Sequence, residues 1–171
     1  MGYTKFQISN VYGLRVLREF GIDDFTVDYH IYTLNNFALD FWKNMGAKRI
    51  ALSVEDSKEN METIISDFAE FVEVIAYQDT PLFIADNCTG ECENCNKNKN
   101  TIVKNCRNFV LSERPFCIND KLSNMAKPFA VRYDFCYKKY TAESVQKIFK
   151  KLCSGGCVET FTIANFERGF K

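Results

Sequence analysis

Residues 49–77 read RIALSVEDSKENMETIISDFAEFVEVIAY, and this stretch decides the fold class. Arg49-Ile50-Ala51-Leu52-Ser53 is a short apolar run of β type. From Ser57 onward, Met61, Ile64, Ile65 and Phe68 recur at helical spacing. Val72-Glu73-Val74-Ile75-Ala76-Tyr77 is again a β run, rich in branched side chains. Strand, amphipathic helix and strand in so short a span form the pattern of a βαβ unit with parallel strands.

The same alternation extends toward the N-terminus. Phe6-Gln7-Ile8-Ser9 reads as a strand, and Asn10 caps a helix carrying Val11, Leu14, Val16, Leu17 and Phe20 before Gly21 ends it. Phe25-Thr26-Val27 is the next strand. A helix from about Asn35 holds Phe37, Leu39, Phe41, Trp42 and Met45 and stops at Gly46, its aromatic spacing being that of a packed core.

Toward the C-terminus the alternation breaks. Pro81 to Ala85 is a short apolar run, and Asn87 to Asn108 is polar, rich in Asn and Lys, and studded with cysteine. Phe109-Val110-Leu111 and Phe129-Ala130-Val131-Arg132-Tyr133 then read as strands, and Thr141 to Leu152 as an amphipathic helix ended by Gly155-Gly156. The expected organisation is a βα-repeat part over 1–86, a cysteine-rich metal-binding insertion over 87–128, and a last βα unit with its tail over 129–171. A complete eightfold barrel takes ~250 residues, more than the 171 here. The expected fold class is therefore α/β with a mainly parallel sheet, either a smaller open sheet or a partial TIM-like (β/α) barrel. No strand is followed by a glycine-rich phosphate loop, which leaves nucleotide binding without support.

Composition narrows the function. The 22 basic and 22 acidic side chains cancel, so no overall field grips nucleic acid, although a local basic patch is compatible with this balance. No apolar run approaches the ~20 residues of a membrane helix, and the segment after Met1 lacks the apolar core of a signal peptide. The expectation is a cytoplasmic protein with no membrane partner. His30 is the chain's one histidine, which excludes sites needing two imidazoles.

All eight cysteines lie from Cys88 onward. Cys88, Cys92, Cys95 and Cys106 are spaced C-x3-C-x2-C-x10-C, with Cys117 next, then Cys136, Cys153 and Cys157. Short spacings aim two sulfurs at one ion while a remote cysteine completes the shell, a pattern shared by zinc sites and iron–sulfur clusters. Lys97, Lys99, Lys104 and Arg107 nearby offset thiolate charge. The candidate ligands are four of Cys88, Cys92, Cys95, Cys106 and Cys117, around a four-iron four-sulfur cluster or, alternatively, zinc. Cys136, in an aromatic strand-like setting, reads as a buried apolar thiol; Cys153 and Cys157, flanking the helix end at 154–156, read as free thiols, with a second pair as the alternative.

In sequence order, several motifs resemble the collagenase-like peptidase family U-thirty-two. Asn35-Asn36-Phe37-Ala38, Gly46 and Leu52-Ser53-Val54-Glu55 are similar to its "N-x-x-A … G … L-S-x-E" run. Val72 to Tyr77 with Pro81-Leu82-Phe83 resembles "E-V-x-V-x-G-x-x-P-L-M", with Tyr77 in place of the glycine. Cys106-Arg107-Asn108-Phe109-Val110-Leu111 resembles "C-R-x-x-Y-x-L", Cys117-Ile118-Asn119 the "iN-S" stretch, and Thr162 to Gly169 the "T-x-G-H-x-x-R-G" tail.

The resemblance implies the C-terminal part of a barrel-like domain. Its open edge would be covered by an upstream barrel half, a partner or a second subunit. Several members of the family are similar to oxygen-independent hydroxylases with a four-cysteine iron–sulfur cluster, acting on RNA bases or quinone precursors, which suits the thiols above. Two other readings stand beside it: a peptidase component, and a zinc-binding RNA or protein interaction module without catalysis. Glu55, ending a strand, is the candidate acid–base or substrate-holding residue, with Asn36 beside it; its structural alternative is a carboxylate at a helix start. His30 and Arg132 are placed to reach the same face, with structural roles as the alternative.

Overall fold

Helix starts in this chain are written as single polar residues. In the computed structural model, which describes residues 2–85, 101–104 and 107–169, Asn10 accepts from the Gly13 N–H to open α1 (Val11–Glu19). Asn35 accepts from Ala38 to open α2 (Asn36–Asn44), and Ser57 from Asn60 to open α3 (Lys58–Phe68). Each cap satisfies an N–H that has no partner within its helix. α2 ends at Gly46, whose φ of +94° reverses the chain at low steric cost for glycine alone.

Two compact units result. The first comprises residues 1–75, 121–132 and 163–171. Here β1 (Phe6–Ile8), β2 (Phe25–Val27), β3 (Ile50–Ala51) and the start of β4 (Val72–Gln78) lie side by side, all parallel. The helices are the crossovers between them. Strands in sequential order with right-handed crossovers put such helices along one face. Register sets the two faces of these strands. Phe6, Ile8, Phe25, Val27, Ile50, Val72 and Val74 share one side, and among them Val27, Ile50, Val72 and Val74 are fully buried. Leu14, Leu17, Leu39, Trp42, Met61, Ile64 and Ile65 are the buried residues of the helices. Gln7, Thr26, Ala51 and Glu73 alternate onto the other side. β9 (Ala130–Asp134) also pairs with β4.

The second unit comprises residues 76–120 and 133–162. The end of β4 pairs antiparallel with β8 (Phe116–Cys117), Tyr77 facing Cys117 and Gln78 facing Phe116. A separate antiparallel sheet runs in the order β5 (Pro81–Ala85), β7 (Arg107–Leu111), β6 (Thr101–Lys104). Tyr77, Cys117, Leu152 and Cys157 form a buried cluster, with Tyr133, Phe135, Ile148, Val158 and Phe161 packed on it. Thr141 caps α4 (Ala142–Cys153).

The architecture is thus mixed α/β with a mostly parallel sheet. The described strands do not close into a barrel, and among them β1 pairs with β2 alone. Among the described residues no helix is long and apolar enough to cross a membrane.

Candidate functional site

The polar side of the first unit's strands gathers on one carboxylate. Asp28 follows the last residue of β2 and continues its alternation, so its side chain falls on the side of Gln7 and Thr26. It is 6% exposed. One oxygen accepts from Gln7 Nε2 at 3.0 Å and lies 3.2 Å from an Arg132 guanidinium nitrogen. The other meets His30 Nδ1 at 2.8 Å and accepts from Ser9 Oγ at 3.2 Å. Arg132 also reaches Glu73 at 3.4 Å. Burial pushes the Asp28 carboxyl up, but the His30 hydrogen bond and the Arg132 charge outweigh it and hold it below the ordinary carboxylate value.

Chemically, Asp28 orients an imidazole as the carboxylate of a general-base pair does. Ser9 donates to Asp28 and not to the imidazole, so Ser9, His30 and Asp28 do not form a serine–histidine–aspartate relay. The arrangement joins a buried anion to a guanidinium and an imidazole at the C-terminal end of β2. His30 and Arg132 were readable candidates for this face; Asp28 was missed, although D-x-H directly after a strand was its signal.

Glu55 and Asn36 engage different partners. Glu55 accepts from the Tyr32 hydroxyl at 3.1 Å, and Tyr32 itself occupies the left-handed region at φ +53°. Asn36 Nδ2 donates to Asp67 in the last turn of α3 at 2.6 Å. The helix-start carboxylate is Asp56, one residue beyond Glu55. It is 1% exposed, accepts from the Ser57 N–H at 2.7 Å and from Asn60 Nδ2 at 2.8 Å, and burial pushes its carboxyl up.

The cysteines require two corrections and a reduction of the ligand set. Cys88, Cys92, Cys95 and Cys106 lie outside the described residues. Cys117, expected among the candidate ligands, is joined to Cys157 in a disulfide, so neither sulfur is available as a thiolate and Cys157 is not the free thiol its sequence context suggested. Tyr77 and Leu152 enclose this bridge, and the Asn119 amide donates to the carbonyls of Leu152 (2.8 Å) and Gly156 (3.0 Å), fixing the turn that carries Cys157. Cys136 is exposed, not buried, because Asp134 Oδ1 takes its backbone N–H in the bend that ends β9; Cys153 is exposed on α4. Among the described residues no group of three His, Cys, Asp or Glu could hold a metal ion.

Fold and site together define a mixed α/β protein with a charge-compensated strand face in one unit and a disulfide-tied core in the other. No known protein family, no curated protein and no solved structure matches this chain.

Proposed function

We propose that the chain is a metal-centre protein of the U-thirty-two type, with Cys88, Cys92, Cys95 and Cys106 as the thiolate set. One observation carries the reading. With Cys117 committed to its disulfide, four cysteines with metal-ligand spacing remain, and the described residues flanking them are register partners: Ala85 faces Asn108, and Lys104 faces Arg107. Ala85, which precedes Cys88, and Lys104 and Arg107, which bracket Cys106, therefore lie at one end of the β5–β7–β6 sheet, while the chain re-enters β6 at Thr101, opposite Val110. Four thiolates suit an iron–sulfur cluster, which when bound supplies one-electron chemistry. The resemblance directs that chemistry to oxygen-independent hydroxylation of an RNA base or an aromatic metabolite. Asp28, His30 and Arg132 are the groups in the first unit suited to orient a polar substrate.

A zinc-binding interaction module is the second reading, favoured by the disulfide, since structural disulfides persist mainly in oxidising compartments. One experiment separates the two. Protein purified without oxygen is assayed for iron, acid-labile sulfide and zinc, beside a Cys92→Ser/Cys95→Ser variant. Iron with sulfide, lost in the variant, supports the cluster; stoichiometric zinc lost in the variant supports the module. Neither metal in the parent protein overturns both.

A further inference from the structure

The second unit contains a cavity of about 440 Å³ between one face of α4, the end of β4 and the segment 158–160. Its size is within the range of small-molecule sites, about 300–1,000 Å³. Tyr77, Pro115, Ile148 and Val158 give it apolar walls.

Its charges do not cancel. Asp79, 1% exposed, accepts from the Tyr140 hydroxyl and pairs with the Lys138 ammonium at 2.7 Å. Tyr140 and Tyr77 hydroxyls are 3.2 Å apart. A carboxylate only accepts and each phenol has one proton, so Tyr140 donates to Asp79 and Tyr77 donates to Tyr140. Both phenol protons and the Lys138 charge are thereby used within the wall. Burial, with Asp79 beside it, pushes the Tyr140 phenol far up, so this chain stays protonated.

Left facing the space among the described residues are Lys147 and Lys151, one turn apart on α4, with Glu159 as the remaining acid. Among the described residues neither lysine has an ion-pair partner. Like charges at this spacing repel on a helix. Lys147 lies before the last turn, where the helix dipole would account for a cation. An anion held between the two ammonium groups relieves that repulsion.

We propose that this cavity binds a small organic anion, a carboxylate or phosphate on a flat apolar body, with Lys147 and Lys151 holding the charged end and Tyr77, Ile148 and Val158 the body. Among the described residues its lining contains no cysteine.

The test uses the full chain with naphthoate, naphthyl phosphate and uncharged naphthalene methanol, read by ligand fluorescence or calorimetry. Saturable binding of either anion is expected, the tighter one identifying the head group. The neutral alcohol should bind at least about tenfold more weakly, tenfold being 1.4 kcal/mol. Lys147→Gln/Lys151→Gln should lose a similar factor or more, while Lys43→Gln, in the other unit, binds as the parent does. Because both lysines are exposed on a helix and glutamine is a good helix former, the variant should fold. Salt dependence of the parent's affinity gives a mutation-free check. Equal binding of the alcohol, unchanged binding by the double variant, salt-independent affinity, or no saturable binding would each overturn the proposal.

Discussion

Removing the Cys117–Cys157 bridge should weaken the chain measurably, and its size follows from the loop it closes. The bonded residues are 40 apart in sequence. Constraining a loop of about that length removes about 13 cal/mol/K of unfolded-state entropy, about 4 kcal/mol at room temperature. Cys117 is fully buried against Tyr77 and Leu152, so Cys117→Ala/Cys157→Ala also deletes packed sulfur, adding about 1–2 kcal/mol. Urea unfolding followed by circular dichroism should give a double variant about 5 kcal/mol less stable. At about 2–4 °C per kcal/mol for a chain of this size, that is a fall in Tm of about 10–20 °C. Alkylation of the denatured, non-reduced parent should leave both cysteines unlabelled by mass spectrometry. Labelling of both would show that the bridge does not form. A protected bridge whose removal costs under about 1 kcal/mol would refute the loop-entropy reasoning.

Asp28→Asn should cost about 1–3 kcal/mol, because it strips the shared carboxylate from Arg132 and His30. Asp28 has its carboxyl held below the ordinary 3.8 in the folded state, so its contribution is present above that value and lost as pH falls through the folded one. An acid titration of stability should therefore be shallower below about pH 4 in the variant than in the parent; identical acid limbs would contradict the assignment. Asn119→Ala should lose about 1–3 kcal/mol in a urea melt, taking a donor from the Leu152 and Gly156 carbonyls and the acceptor from the Tyr133 hydroxyl. Gly46→Ala should cost about 1–2 kcal/mol from its left-handed backbone alone, since a Cβ there meets no atom within 4 Å. Gly46→Asn should recover part of that loss in the same thermal melt.

Local order was legible because it is written locally. The cap at Asn10, stops at glycine and the apolar spacing of 61, 64, 65 and 68 act within a turn or two, so helices α1 to α3 and the strands between them could be placed from residues alone. The run 49–53 shortens to Ile50–Ala51 because strand extent depends on which neighbouring groups remain to pair, and β4 offers partners at Val72 and Glu73. Glu55 against Asp56 is a difference of one position, and whether the helix-start carboxylate is the first or the second is set by the direction in which the chain turns after β3.

By itself, the amino-acid pattern determined the α/β class and the parallel character of the repeats, since periodicity and capping are short-range. It also marked the cysteine segment as chemically distinct from an ordinary core. Tertiary structure alone decided the rest. Arg132 meets Asp28 across 104 residues, and Cys117 selects Cys157 across 40. Neither separation carries a local signal. Which distant groups share a face depends on strand register and on which buried charges and sulfurs must find partners once water is excluded.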